Sequence, residues 1–133
     1  MKQNLRGQSQ VELLLVIVLF LVTLFGAFEF CRLLLSYTTL ANASRVAMRY
    51  ASVHGSSNDA GYITTTTEIE SIVRDFTKGS LIDPALVTVT TTWPASNAPG
   101  GPVLVRVNYP YRPFVLLPIQ TNLDASAEGI VTY

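Results

Sequence analysis

The chain has 133 residues, a net charge of zero, and 49 % hydrophobic against only 14 % charged residues, where a soluble domain carries about 25 % charged. That length suits one domain rather than two, and the absence of a basic run or basic face argues against a nucleic-acid partner. A single cysteine, Cys31, excludes an internal disulfide framework and a cysteine-rich metal site, so any folded domain must stand on its hydrophobic core.

The first element in chain order accounts for the imbalance. Residues 13–28 carry no charge and are mostly Leu, Val, Ile and Phe, with Thr23 the one strongly polar side chain. Extended over Glu12 and Glu29 to residues 11–30, the run spans about 30 Å of helix, the thickness of a bilayer core. Lys2 and Arg6 precede it, while Glu29 and Arg32 beyond it cancel. The positive end tends to stay in the cytoplasm. A single-pass helix with a cytoplasmic N-terminus is therefore expected, leaving residues from about 33 onward periplasmic or extracellular. A removable secretory signal fits less well: its apolar core is about 7–15 residues and ends in a small-x-small site. Here the apolar run continues past Phe28, and Ala41-Asn42-Ala43 comes too late.

The helical pattern continues beyond the membrane. Leu33, Leu34, Tyr37, Leu40, Ala41, Ser44, Val46, Ala47, Met48 and Tyr50 extend an apolar stripe, with Arg32, Arg45 and Arg49 on the polar side, and no proline occurs before Pro84. One helix over about residues 8–53 is predicted, ending in the breaker cluster at residues 54–58. Four parts follow: residues 1–7 before the membrane, 8–30 across it, 31–54 continuing the helix, and 55–133 as a small α+β domain.

A second, short helix is marked by the capping-box spacing of Thr65 and Glu68. Ile69, Ile72, Val73 and Phe76 would share its buried face, and Gly79 would stop it. Residues 86–93 alternate as a strand, with Val87, Val89 and Trp93 on one side. A Pro-, Gly-, Ala- and Asn-rich loop over residues 94–102 leads to a strand carrying Val103, Val105, Val107 and Tyr109, broken by Pro110 and Pro113. Leu123, Ala125 and Ala127 mark a third strand, and residues 130–133 end the chain. Three strands in an antiparallel meander are expected, one face packed on the helices. The apolar excursion over residues 114–118, with Tyr109, Tyr111 and Tyr133, reads either as an exposed contact patch or as core; the core reading is preferred.

No arrangement of side chains nominates a catalyst. His54 lies in a breaker loop without an acid or thiol nearby, the serines lack a nucleophile-elbow setting, and Asp59, Glu68, Glu70, Asp75 and Asp83 form no paired-carboxylate pattern. No enzymatic activity and no cofactor are expected. Cys31, just past the apolar run, reads as a packed or lipid-facing thiol, with palmitoylation or an intermolecular disulfide as alternatives.

The informative residues stand at the start: Arg6-Gly7-Gln8-Ser9-Gln10-Val11-Glu12. A glycine follows a base, and a glutamate stands five residues later at the head of the apolar run. A carboxylate there is costly if buried unpaired. It either sits at headgroup level, favoured by about 0.3–1 kcal/mol at a helix N-terminus, or serves a partner. With the long apolar run and Glu29-Phe30-x-Arg32, this pattern resembles a class III, type IV prepilin-like leader. More narrowly, it is similar to the TadE-like family of minor pilins, or pseudopilins, of the Tad (Flp-type) pilus machinery, over residues 6–32.

The resemblance implies a pilin-like fold and cleavage by a membrane prepilin peptidase after Gly7, leaving Gln8 as the new N-terminus. It also implies that Glu12, fifth in the mature chain, pairs with a neighbouring subunit's α-amine in the low-dielectric membrane. Glu29 and Arg32 mark the helix exit. The partners so implied are membrane lipid, the peptidase and other pilin or pseudopilin subunits. A major filament subunit and an uncleaved single-pass binding module are the alternatives.

Overall fold

The computed structural model describes residues 4–55, 65–114 and 120–132, with side chains from Gly7 onward. It is α+β, in the element order helix, helix, 3-10 turn and three strands. α1 runs unbroken over Asn4–Val53, about 75 Å at ~1.5 Å per residue. It starts earlier than the predicted residue 8 and ends where the stripe ends. The breaker positions Ser56, Ser57 and Asn58 lie outside the described residues.

α1 has two halves with different surroundings. From Val11 to Phe28 its large apolar side chains are all exposed, and the helix qualifies by length and hydropathy as a membrane span. Farther along, Ser36, Leu40, Ala43, Ser44, Ala47 and Ala51 are buried. These fall mostly at spacings of three, four and seven, one stripe of a 3.6-residue helix. All but Leu40 are alanine or serine, and such short side chains let the sheet come close to the helix axis.

α2 spans Thr66–Thr77 and is nucleated by the predicted capping box: Thr65 accepts from the Glu68 amide, and the Glu68 side chain accepts from the Thr65 amide. This satisfies two of the donors that a helix start leaves unpaired. Lys78 is the C-cap, and Gly79 follows at φ 83°, a conformation that costs a Cβ-bearing residue energy. The buried face is Ile69, Val73 and Thr77, at i, i+4 and i+8. Phe76, expected inside, is 43 % exposed. Packing between α1 and the sheet selects the i+4 row, and Phe76 falls beside it.

A 3-10 turn over Pro84–Leu86, capped by Asp83, has no counterpart among the elements expected from sequence. It feeds β1, Thr88–Thr92, then β2, Pro102–Tyr111, and β3, Thr121–Ile130. The strands form an antiparallel sheet in the order β1-β2-β3. Pro110 does not end β2, contrary to expectation. β1 pairs β2 only as far as Thr88 opposite Asn108, so at Pro110 only β3 runs alongside, where Asn122 stands opposite. A proline is tolerated where one side of the strand has no neighbour to bond.

The inner face of the sheet carries Val103, Val105, Val107, Tyr109 and Tyr111 from β2 and Leu123, Ala125 and Ala127 from β3, all buried. Except for Ala127, these join Val87, Ile82 and Val131 in one core closed against α1 and α2. Each valine so buried contributes about 1.5–3 kcal/mol relative to exposure. The outer face is polar: Thr88, Thr90, Thr92, Arg106, Ser126 and Glu128 are exposed. There the register sets Asn108 opposite Asp124, and the amide donates to the carboxylate at 2.7 Å. This is the predicted meander with one face on the helices.

Candidate functional site

Two groups of residues carry functional interest, and α1 holds them apart. The first is the start of the helix. Gly7, Gln8, Val11 and Glu12 lie in the first turns of α1, with Gln8 and Glu12 four residues apart on one face and both exposed. A Cβ built on Gly7 would meet nothing within 4 Å, so packing within the chain does not require glycine there. Among the described residues the Glu12 carboxylate makes no ion pair or hydrogen bond, and its neighbours Val11, Leu13, Leu14 and Leu15 are exposed apolar side chains. Lys2 lies outside the described residues.

The second group lies at the other end of the apolar run. Glu29 follows Glu12 by about 26 Å along the helix. Here the structure adds partners that local sequence pattern does not show. The Tyr111 hydroxyl donates to Glu29 Oε1, and lies 3.5 Å from the Glu29 carbonyl oxygen. The Phe114 amide donates to Glu29 Oε2 at 3.3 Å. Arg32 closes the group: its guanidinium is 3.6 Å from Glu29 Oε1, donates to the Arg112 carbonyl at 3.0 Å, and lies 5.1 Å from the centre of the Tyr111 ring. A carboxylate with two donors and a cation is satisfied, so it can sit half-buried at little cost. Tyr111 itself is 1 % exposed. Its burial, and next the bond to Glu29, push its pKa up to about 12.

Local geometry explains why these groups meet. The 10 residues of β2 span about 33 Å, close to the rise of α1 from Glu29 to Ser52. β2 therefore ends at Glu29. At the far end the Thr132 amide and hydroxyl donate to the Ser52 carbonyl at 2.8 and 2.9 Å, satisfying an acceptor that the helix end leaves open. The sheet is tied to the helix at both ends.

Tyr109 and Tyr111 are thus core, as preferred, but Phe114 is 85 % exposed. Residues 115–118 and Tyr133, part of the same expectation, lie outside the described residues. Cys31 is an exposed free thiol, and the His54 ring stacks on Tyr50 at 4.1 Å. Carrying the β2 alternation two residues past Tyr109, through Pro110, would have placed Tyr111 on the buried face of the strand from sequence.

A family model described as TadE-like protein matches residues 7–49. The matched stretch covers Gly7, Glu12, Glu29, Arg32 and the packed stripe of α1 as far as Ala47. Neither the curated proteins nor the solved structures include a significant match.

Proposed function

We propose, from the TadE-like character of residues 7–49, that the chain is a membrane-anchored minor pilin, or pseudopilin, of Tad/Flp-type pilus assembly. In this reading a prepilin peptidase cuts after Gly7 on the cytoplasmic side and leaves the apolar helix in place, beginning at Gln8. Residues 1–7 are the leader, 8–30 cross the cytoplasmic membrane, and 31–54 carry the helix out to the periplasmic or extracellular domain of residues 55–133. Lys2 and Arg6 favour that orientation. The protein acts as a structural subunit, with no catalytic step of its own.

The observation that carries this reading is the Glu12 carboxylate, unpartnered among the described residues at the head of an exposed apolar run. A lone charge in hydrocarbon is expensive, and a newly made α-amine on a neighbouring subunit's Gln8 is the partner that would neutralise it. The free face of α1 over residues 13–28 then packs against like helices when subunits assemble.

The reading is tested by expressing the full chain in cells with and without an active prepilin peptidase. A shorter, still membrane-retained product that appears only with the peptidase supports it. A product of unchanged length in both overturns it. Scarcity in sheared filaments distinguishes a minor from a major subunit.

A further inference from the structure

The exit of the membrane helix holds a feature that leader processing and subunit pairing leave unused. Arg112, Pro113 and Phe114 follow β2 directly, and two hydrogen bonds fix them to the residues that end the apolar run. These are the Phe114 amide to Glu29 Oε2 at 3.3 Å and the Arg32 guanidinium to the Arg112 carbonyl at 3.0 Å. The Val11-to-Glu29 distance along α1 is about 27 Å, against a hydrocarbon core of about 30 Å. Whatever is bonded to Glu29 therefore lies at the level where the bilayer ends.

At that level Phe114 is 85 % exposed, more than any other large apolar side chain among the described residues. The hydrogen bond to Glu29 uses its backbone and leaves the ring free. Phe28 and Phe30, on either side of Glu29 in the sequence, are each 62 % exposed, so exposed apolar rings occur on the membrane helix at the level where this segment is bonded to it. Arg112, two residues earlier, is also exposed. An outward phenyl ring flanked by a guanidinium matches a bilayer boundary, with acyl chains on one side and phosphates on the other.

We propose that residues 112–114 form a second membrane contact, with Phe114 in the edge of the acyl chains and Arg112 among the lipid phosphates. The Glu29–Arg32–Tyr111 group then holds the outer domain down on the bilayer face from which it emerges. The inference rests on α1 spanning the membrane and is independent of leader cleavage and of any role in a pilus.

The test places a nitroxide label at position 114 of the full chain by Phe114→Cys in a Cys31→Ser background. The protein is reconstituted in phosphatidylcholine vesicles containing phosphatidylglycerol. Collision with molecular oxygen, which concentrates in lipid, is compared with collision with a water-soluble nickel chelate. Labels at Phe20→Cys and Lys78→Cys mark the apolar run and the water-facing end of α2. The expected result is an oxygen-to-nickel ratio at position 114 severalfold above that at position 78 and on the lipid side, as at position 20. A ratio equal to that at position 78 overturns the proposal. So does a label at 114 shielded from both reagents, which would put a protein partner on Phe114. A nickel-favouring label at position 20 would overturn the membrane premise and this contact together, whereas failure at 114 alone leaves the anchored helix standing.

Discussion

The Tyr111 hydroxyl, at the end of β2, donates a hydrogen bond to the Glu29 carboxylate, 82 residues earlier where the apolar run of α1 ends. This bond joins the folding of the outer domain to the geometry of the membrane exit. Tyr111→Phe keeps the ring in the core and removes only the hydroxyl, while Glu29 retains Arg32 and the Phe114 amide. The outer domain should lose about 1.5–3 kcal/mol, the range for a hydrogen bond to a charged group. Thermal or denaturant unfolding followed by the fluorescence of Trp93, the one tryptophan, measures this.

The same residue sets an alkaline limit. Tyr111 is neutral when protonated, and its pKa in the folded chain is raised from 10.0 to about 12. Between those values the folded chain keeps a proton that the unfolded chain releases, so stability falls as pH rises. The contribution is fully present below about pH 10 and is lost through about pH 12. Unfolding midpoints measured across this window should drop in the wild type, and the part of that drop due to Tyr111 should vanish in Tyr111→Phe.

The small-residue stripe of α1 sets the distance between helix and sheet. Ala47 is fully buried in it. Ala47→Leu adds volume to a packed layer and should cost about 1–3 kcal/mol. Val46→Leu, on the exposed side of the same turn, is the control and should change stability by less than about 0.5 kcal/mol. Paired unfolding curves of the two variants decide it.

Gly101 occupies a site where a side chain cannot fit. A Cβ there would lie 2.5 Å from the Ser96 carbonyl oxygen and 3.0 Å from that of Ala98. Backbone would have to move, and the Gly101 carbonyl also accepts from the Val131 amide at 2.9 Å. Gly101→Ala should destabilise the outer domain by about 1–3 kcal/mol and loosen the C-terminal segment. Faster amide exchange at Val131 relative to Val105 in the core would register it.

Much of this architecture is legible locally. The breakers that begin at His54 and Gly55 place the end of α1 at Val53, Thr65 and Glu68 place the start of α2, and valine alternation marks the strands in their order. What fails depends on neighbours far along the chain. Pro110 stays in β2 because β1 has already ended there, and Thr77 displaces Phe76 because α1 and the sheet choose the buried row. Gly7 and Glu12 stand out because a glycine and a carboxylate beside an apolar run need a reason. The partners of Glu29 do not, since nothing in the local pattern around residue 29 points to residues 111 and 114.

Whether α1 is the helix of a processed, assembling subunit is read from the intact mass of the membrane-extracted chain from cells with an active prepilin peptidase. The expected mass is that of a chain beginning at Gln8, with Gly7→Ala retaining residues 1–7. A wild-type chain that still begins at Met1 in those cells would contradict it.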